Sequence, residues 1–538
     1  MRDSTTRSLE DWVNHVDELI VKENFEIALR VVLNILASGD IEKHPKSIFL
    51  KSKFLCLLID IGCSCGNEEI LKDAIKLWEI EEEGFKGVIT KSSYYYNLAN
   101  AKHGLAKIYT LDTKGNLFPS PKNIKEYLHD PINTFWLAYK EAINEKADIN
   151  FTFQILINIG DLLGRTGRLI ESIQNYDFVL KAFPKYPQAN FNRAEALDHL
   201  FIANTEISIA LFYEIYKGYE ICLNYSYTPS SIKDYCEKGL IKYKSKIENQ
   251  GFKFDKEILN NEVKTSNKQY LELSDYRKFC LDNFLTLSEH GIYCKCIASA
   301  KDDLQIGIQN AIFKTDPVLK MQLLLNRIKS EYSLARTLFY KSNFSREENK
   351  DWYAADVEYT DLLEDEYINP STEMLRTSFR VCYGILDKIA KGICYTYDLT
   401  TGNDSKNILF ESFWKSSEER WEKINSIRNI HLSALYSIAS DFNTKKGEWK
   451  VFKDWRNKLE HGILILVDKK IPSSDPLKVY SDKELITTID INEFKDKTLQ
   501  LLQLTRSAIF SFVFCIRLQF IQNNDGSIGA LELKPKKN

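Results

Sequence analysis

Proline and glycine are scarce in this chain, which has 12 prolines and 22 glycines among its 538 residues. Both residues are unfavourable inside helices, so their scarcity favours long helices over a loop-rich β architecture. A chain of this length can also form two or more domains, each with its own hydrophobic core. The sequence therefore predicts a largely helical protein with more than one domain.

An excess of charge of one sign and a long hydrophobic run are also lacking. The 72 basic and 75 acidic residues give a formal net charge of −3, which does not by itself indicate a nucleic-acid-binding protein, although a local basic face stays compatible with it. The first residues, "MRDSTTRSLEDW", are too polar for a signal peptide. The apolar run 507–516 is closed by Arg506 and Arg517 and is too short to span a bilayer. We expect a soluble, cytoplasmic protein without a membrane partner.

The cysteines do not form a pattern typical of disulfides. Their number, 11, is odd and they are scattered, as in a reduced cytosolic protein. Two C-x-C pairs occur, Cys63/Cys65 and Cys294/Cys296, and the second follows His290 by four residues. A structural zinc site needs about four ligands at finger-like spacing, and neither pair has a matching pair close by. We therefore expect buried or incidental thiols, and neither a metal nor a cofactor.

Segment 153–186 has the residue sizes of a helical repeat. Gly160 lies on the tight face of a first helix, the letters "GRTGR" form a turn, Ser172 is small where two helices cross, and Pro184 ends the second helix. These features resemble a tetratricopeptide repeat, a helix–turn–helix unit of about 34 residues. Looser versions precede and follow it, so we predict a tetratricopeptide-like array over roughly residues 10–245.

The predicted domains follow from this array and from the helices after it. We assign residues 1–245 to the repeat domain, 246–315 to a partly extended connector with short helices, and 316–538 to a bundle of long helices. A stacked array either binds a peptide or protein on its concave face or only packs against the C-terminal half. The repeat pattern specifies shape and not ligand, so both interpretations stay open.

Residues 371–393 contain two stripes at helical spacing. The apolar stripe predicts a face buried in a helix bundle. The polar stripe beside it faces solvent or borders an active site. The apolar stripe consists of Leu375, Phe379, Cys382, Leu386 and Ile389, and the polar stripe of Arg376, Arg380, Tyr383 and Asp387.

A further helix, "VFKDWRNKLEHG" (residues 451–462), places polar side chains away from its core face. At about 100° per residue, Phe452, Trp455, Leu459 and Ile463 form the apolar face. His461 points to the opposite side, so it is not a core histidine.

The other polar residues of this helix have defined positions around His461. Asn457 lies one turn before His461 and Asp454 two turns before it, on the same face. Arg456 lies about 140° around the axis from His461. One helix therefore does not easily bring both side chains to one site, whereas two copies related by a two-fold axis would.

The stretch from Arg456 to His461 resembles the R-x(4–6)-H motif of the HEPN ribonucleases, including the polar residue after the arginine. HEPN stands for higher eukaryote and prokaryote nucleotide-binding domains. Segments 378–390, "SFRVCYGILDKIA", and 429–442, "NIHLSALYSIASDF", are similar to the branch of this superfamily that carries N-terminal tetratricopeptide repeats. The resemblance covers roughly residues 365–525. It implies an all-α HEPN helical bundle that forms a homodimer and cleaves RNA (tRNA or mRNA) without a metal, at a site shared by two protomers.

The residue types fit this chemistry. Attack by the 2′-OH of RNA needs an acid or base that titrates near neutral pH, which His461 supplies. It also needs a cation that matches phosphate oxygens, which Arg456 supplies. Asn457 would orient His461 or contact phosphate. Asp387, Tyr383, Arg380 and Asp454 are candidates for supporting roles, and a plain structural role is equally compatible with the first three.

The leading hypothesis is an RNA endonuclease of a bacterial toxin or anti-phage system, in which the array binds a protein trigger or regulates access. The alternative is a catalytically silent tetratricopeptide/HEPN adaptor, against which the intact Arg456-Asn457…His461 argues. Nucleotidyl or AMP transfer would need a Gly-Ser-rich phosphate loop with paired aspartates, which the sequence does not show. The stretch 428–431, "RNIH", repeats the motif with spacing that is too short, and we interpret it as part of the fold.

Overall fold

The structure, a computed structural model, divides the chain into two compact units, Met1–Thr166 and Gly167–Asn538. In both units the described residues are mainly helical, which confirms the predicted all-α class. The residues that the structure describes are 8–110, 119–201, 208–226, 228–306, 316–344, 370–399, 408–415, 417–443, 448–467 and 486–523.

The first unit is built from helices α1 to α9 and a π-helical turn, Ile124–Leu128. Several of these helices begin at a polar side chain that accepts a backbone N–H, for example Ser8 before α1, Asn67 before α4 and Asp148 before α9. The helices are α1 Leu9–Val21, α2 Phe25–Ala37, α3 Ser47–Cys65, α4 Glu68–Ile80, α5 Glu82–Phe85, α6 Lys91–Thr110, α7 Pro121–Asn123, α8 His129–Asn144 and α9 Ile149–Arg165.

The second unit begins with six helices and two short 3₁₀ turns. The helices are α10 Leu169–Ala182, α11 Pro187–Phe201, α12 Ile209–Leu223, α13 Ser230–Asn249, α14 Lys256–Leu271 and α15 Asp275–Asp282, and the turns are His290–Ile292 and Ile297–Ala300. Helix α13 continues past the predicted border at residue 245, and α14 and α15 occupy much of the predicted connector.

The predicted repeats fall on helices, but their class stays a prediction. Segment 153–186 lies on α9 and α10, which belong to different units. The structure therefore confirms a helical array and leaves the tetratricopeptide assignment and the three predicted domain ranges as predictions.

The rest of the second unit contains the long helices. Helix α17 packs against α16 and α21, helix α19 packs against α21, and α20 contacts both α17 and α19. The whole predicted apolar stripe of α17 is buried. The elements are α16 Asp316–Phe344, α17 Pro370–Thr396, α18 Glu418–Ser426, α19 Ile430–Asn443, α20 Lys450–His461, β1 Ile463–Val467, β2 Ile486–Asp490 and α21 Ile491–Asn523, with a 3₁₀ turn at Phe413–Lys415.

The two strands were not predicted, and they correct the position of Ile463. Helix α20 ends at His461, Gly462 is extended, and Ile463 begins β1 with 47% of its surface exposed, so it does not extend the core face of α20. The strands pair in parallel, from Ile463 opposite Ile486 to Val467 opposite Asp490. Residues 468–485, which connect them, lie outside the described part.

The beginning of α10 is fixed to α19. Gly167 has φ +87°, and a Cβ atom there would lie 2.3 Å from the Ile430 carbonyl oxygen, so only glycine allows this approach. Arg168 is buried and its guanidinium lies 2.5 Å from the Asp441 carboxylate. The last two residues of the predicted turn "GRTGR", Gly167 and Arg168, thus contact α19 of the bundle.

Stretch 428–431 serves the fold, as interpreted from the sequence. Asn429 is fully buried, its amide donates to the Tyr397 hydroxyl and the Cys515 carbonyl at 2.9 Å each, and its oxygen accepts from the first N–H groups of α19. His431 is buried as well. Both residues therefore have packing roles.

Among the described residues, α21 is the one helix long and apolar enough to cross a membrane. Residues Ile491–Ile521 are long and apolar enough to cross a membrane by length and composition, yet 83% of the most apolar window is buried inside the protein. Its burial is that of a central core helix.

Candidate active site

Helix α20 holds the predicted catalytic residues against the bundle through a short apolar face. Phe452, Trp455 and Leu459 are at most 8% exposed. The rings of Phe452 and Trp455 lie 5.9 Å and 6.2 Å from the ring of Phe379 on α17. This packing confirms three of the four predicted core positions and fixes the rotation of α20 about its axis.

Arg456 points towards α17 and the residues around Glu411. Its guanidinium lies 3.8 Å from the Asp387 carboxylate, 3.9 Å from the Glu411 carboxylate and 5.5 Å from the centre of the Tyr383 ring. These ion pairs are longer than a hydrogen bond, and the side chain is 25% exposed. Arg456 therefore makes no hydrogen bond to the described residues and retains donors for a ligand.

The two carboxylates beside Arg456 are partly shielded from water. Asp387 accepts a hydrogen bond of 2.9 Å from the Phe410 N–H. Burial raises the pKa of the Asp387 carboxyl above its ordinary value, the nearby Glu411 adds to this rise, and Arg456 opposes it. An anionic ligand at Arg456 would raise that pKa further and favour the neutral acid.

Tyr383 lies beneath Arg456 with a hydroxyl group that has no partner among the described residues. The residue is 4% exposed, and within the described ranges its hydroxyl makes no hydrogen bond. Burial raises the pKa of the phenol well above its ordinary value, so the group is a neutral donor. A buried donor without a partner costs free energy and is available to a ligand.

His461 is exposed in the last turn of α20 and contacts none of the carboxylates that surround Arg456. Its ring makes no hydrogen bond or ion pair with the described residues. Asn457 and Asp454, which precede it by one and two turns, are also exposed. One face of α20 thus carries His461, Asn457 and Asp454. Arg456 lies on another face of α20, beside Asp387 and Tyr383 of α17.

Arg380 contacts the end of α20 rather than Arg456. Its guanidinium donates to the Leu459 carbonyl at 2.8 Å and lies 3.5 Å from the Glu460 carboxylate. A cation at the C-terminus of a helix binds its free carbonyl groups and favours the helix dipole. Arg380 therefore supports the turn that carries His461.

Two residues near Arg456 were missed by the sequence argument. Glu411 is buried and lies within 3.9 Å of both Arg456 and the ammonium group of Lys453. Lys453 precedes Arg456 by three residues, so helical spacing alone could have placed it on the same face. Glu411 is in an irregular segment, where no periodic signal indicates its position.

No metal-binding group surrounds Arg456 within the described ranges. The side chains able to hold an ion are instead brought together at His290, Cys294 and Cys296. From the sequence alone we expect these thiols to be incidental, because neither C-x-C pair has a matching pair close by.

Comparison with known families places this site in a recognised type of domain. The family described as LA2681-like HEPN matches residues 312–519, which include α16 to α20 and most of α21. The C-terminal part of the chain is therefore a HEPN helical domain, which supports an RNase-type or nucleotide-related function.

A second match is short. A stretch of 75 residues is 29% identical to Cadherin-1 of Gallus gallus and covers 14% of this chain and 8% of that protein. The chain thus spans less than a tenth of this relative, and the match carries no argument about function.

Proposed function

We propose that the protein is a metal-independent RNA endonuclease whose active site contains Arg456 and His461 from two protomers. The observation that carries this proposal is their arrangement on α20 of a HEPN domain. Among the described residues, His461 is exposed without a partner, and Arg456 is held by long ion pairs beside an unpaired tyrosine hydroxyl.

The proposed reaction uses the RNA's own 2′-OH as nucleophile. His461 in its neutral form accepts the 2′-OH proton as the oxygen attacks phosphorus. Arg456 of the second protomer neutralises the phosphate, and the imidazolium so formed on His461 donates its proton to the leaving 5′-oxygen. The products are a 2′,3′-cyclic phosphate and a 5′-OH. Positioned proton transfer of this kind contributes about 10²–10⁴-fold in rate.

A dimer is needed because the two residues lie on different faces of one helix. They are separated by about 140° around the helix and about 7.5 Å along it. A two-fold axis near the end of α20 would place His461 of one protomer beside Arg456 of the other, which the single chain does not do.

The test in cells compares the ends of RNA after expression of wild type and of His461→Ala. We expect new RNA ends only with the wild type. His199→Ala is the matched control, because His199 is also exposed in the last turn of a helix, α11. Equal cleavage by His461→Ala and wild type would instead favour the non-catalytic adaptor.

A second test uses purified protein and a brief excess of EDTA. Cleavage should persist and leave 2′,3′-cyclic phosphate or 3′-phosphate ends, because the 2′-OH needs no metal-bound water. Loss of cleavage with rescue by Mg²⁺, or products with 3′-OH ends, would contradict the proposed chemistry.

We propose further that the helical array binds a protein trigger and thereby controls the nuclease in the cytoplasm. A nuclease that cleaves the RNA of its own cell must be restrained, as in toxin and anti-phage systems. A ligand that shifts the active fraction from about 1% to 99% must prefer the active form by about 5.5 kcal/mol. The buried ion pair between Arg168 and Asp441 connects α10 of the array to α19 of the bundle.

An apolar cavity supports this part of the proposal. It has a volume of about 910 Å³ and is lined by Phe183, Tyr186, Phe191 and Tyr225, among others. Tyr225 is 46% exposed, so it could contact a protein ligand.

The trigger is tested by infection of cells that express the full-length protein. We expect RNA cleavage to rise on phage infection and the rise to be lost in Tyr225→Ala. Tyr395→Ala is the control, since Tyr395 is also 46% exposed but does not line the cavity. Equal cleavage with and without infection would exclude a phage trigger.

A further inference from the structure

The segment between α15 and α16 brings three metal-ligating side chains together. One ligand atom from each of His290, Cys294 and Cys296 lies within 4.8 Å of the others. Zinc binds thiolate at about 2.3 Å and imidazole at about 2.0 Å, so tetrahedral ligands lie about 3.5–3.8 Å apart. Small side-chain rotations would therefore bring the three atoms to coordination distance.

The backbone of this segment fixes the positions of the ligands. Residues His290–Ile292 form a 3₁₀ turn, and the Cys294 N–H donates to the His290 carbonyl at 3.0 Å. Gly291 allows the turn to pack closely, because a Cβ atom there would lie 2.7 Å from the Thr286 hydroxyl and 2.9 Å from the Ser299 carbonyl oxygen. His290 and Cys294 are four residues apart across this hydrogen-bonded turn, and a ligand atom of each lies within 4.8 Å of the other.

Polar groups behind the ligands orient them. The Tyr293 hydroxyl lies 3.2 Å from Nδ1 of His290, which leaves the second ring nitrogen for a metal. The Ser266 hydroxyl lies 3.7 Å from Sγ of Cys294, and the Ser299 hydroxyl lies 3.5 Å from Sγ of Cys296. Such partners fix ring and thiolate orientation in metal sites.

The site is accessible from a cavity. A volume of about 410 Å³ is lined by His290, Cys294, Ser266 and Glu262, among others, and all three ligands are partly exposed. Within the described residues no fourth side chain joins the group. Three protein ligands with one open position are typical of zinc sites that also bind water.

The chemical types of the three ligands determine which metal ions the site would bind. Two thiolates and an imidazole suit Zn²⁺ or Cu⁺, whereas Mg²⁺, Ca²⁺ and Mn²⁺ prefer oxygen ligands. We propose that His290, Cys294 and Cys296 bind one Zn²⁺ ion, with water in the fourth position, and that the ion fixes segment 285–306 against α21.

The structural consequence follows from the contacts of this segment. Glu289, next to His290, lies 2.7 Å from the buried guanidinium of Arg517, and the Thr286 carbonyl accepts from Arg506 at 2.7 Å. Both arginines belong to α21 and lie in the core. A zinc ion would cross-link the same segment and so hold these acceptors in place.

The experiment measures metal in the purified full-length protein. Zinc content is determined by mass spectrometry of the metal, and the stripped protein is titrated with Zn²⁺ or Cu⁺ against a chromogenic chelator. We expect about one Zn²⁺ per chain, lost in Cys294→Ser/Cys296→Ser and in His290→Gln. The matched control is Cys63→Ser/Cys65→Ser, the other C-x-C pair, which should keep the ion.

A second measurement needs no variant and no nuclease activity. Alkylation of Cys294 and Cys296 is followed by peptide mass spectrometry, and zinc should slow it at least tenfold, because a coordinated thiolate is a poor nucleophile, while leaving Cys65 unaffected. Unchanged alkylation, zinc binding that persists in Cys294→Ser/Cys296→Ser or in His290→Gln, preference for Cu⁺, or a Cys294–Cys296 disulfide in the purified protein would each overturn the proposal. None of these readouts depends on RNA cleavage.

Discussion

Tyr383 is the residue for which a cost in folding free energy is easiest to relate to function, because its hydroxyl group is buried. It is buried without a hydrogen-bond partner among the described residues, and the centre of its ring lies 5.5 Å from the Arg456 guanidinium. Tyr383→Phe removes that cost, so the free energy of unfolding should stay unchanged or rise by about 1 kcal/mol. If the hydroxyl donates to the RNA phosphate, kcat/KM should fall about tenfold.

Tyr332→Phe is the contrasting variant for this prediction. The Tyr332 hydroxyl donates to the Leu502 carbonyl at 3.2 Å. Its removal should lower the free energy of unfolding by about 1 kcal/mol and leave cleavage unchanged. Unfolding is followed by denaturant titration and cleavage by initial rates. A Tyr383→Phe enzyme with full activity would show that the hydroxyl takes no part.

His431 predicts how the stability of the second unit depends on pH. Burial, and then the nearby charge of Arg517, lower the pKa of His431 to about 3. In the unfolded chain this histidine has a pKa of about 6.5, so below that pH the unfolded state binds a proton that the folded state does not. The free energy of unfolding therefore falls as the pH falls from about 6.5 towards 3. Between pH 6.5 and 5.5 this residue alone should lower the free energy of unfolding by about 1 kcal/mol.

The measurement for His431 is the difference between two proteins. Denaturant titrations of wild type and His431→Gln at pH 7.5, 6.5 and 5.5 remove the contribution of other groups, among them His103, whose pKa burial lowers to about 4. The slope between pH 6.5 and 5.5 should be smaller in the variant. Equal slopes would mean that His431 accepts a proton in the folded state.

The sequence predicted some site residues because their positions follow from helix geometry alone. His461 opposite the core face, and Arg456 about 140° around the axis from His461, follow from counting residues along the helix. Glu411 could not be found in this way, because its place depends on how residues 408–415 cross the bundle. The roles of all these residues in catalysis remain predictions.

At the scale of elements, the end of α20 depends on Arg380. This side chain donates to the Leu459 carbonyl, two residues before His461. Arg380→Met removes the donor and the charge at the helix end, so the last turn should fray and cleavage should fall about tenfold, since a loosely held acid–base group loses its orientation. Hydrogen exchange of the amides of residues 458–462 should become faster.

The controls for Arg380 separate positioning from general destabilisation. Arg380→Lys keeps a cation near the helix end and should restore part of the activity. Arg376→Met lies one turn earlier and removes a donor to the Leu464 carbonyl in β1, which should loosen the strand and spare α20. Slow exchange at 458–462 together with low activity in Arg380→Met would point to a direct role on RNA.

The strands β1 and β2 show that the spacing of apolar residues is not always sufficient to tell a strand from a helix. Residues 463–467, "ILILV", follow a helix without a proline, so the apolar pattern continues the helix equally well. Their pairing partner, residues 486–490, is distant in sequence and becomes visible only when the chain folds. The group of ligands at His290 could not be predicted from the sequence for the same reason, because it forms only when two turns and α14 pack together.

At the scale of the molecule, the HEPN helices are not separate from the residues before them. Arg506 and Arg517 of α21 have partners at Thr286 and Glu289, and Arg168 of α10 pairs with Asp441. A fragment that begins at α16 would remove these partners from buried charges, at a cost of several kcal/mol for each. Experiments on activity and regulation therefore require the full chain.

The composite active site leads to a prediction about mixed dimers. Arg456→Ala and His461→Ala should each be inactive alone. In a mixed dimer, one of the two sites would combine the intact Arg456 of one protomer with the intact His461 of the other. Random mixing gives about half mixed dimers, so about a quarter of wild-type activity should return if one site acts independently.

Mixing after dissociation, or co-expression with two different tags, provides the mixed dimers, and light scattering establishes their mass. Arg456→Ala mixed with the double variant Arg456→Ala/His461→Ala is the negative control, because no site in it can contain an arginine. If the first mixture contains mixed dimers and stays as inactive as its parents, each site requires the Arg456 and His461 of a single protomer, or both copies of each. If the protein is a monomer under conditions in which it cleaves RNA, the shared site is wrong and Arg456 must reach the substrate bound at His461 within one chain.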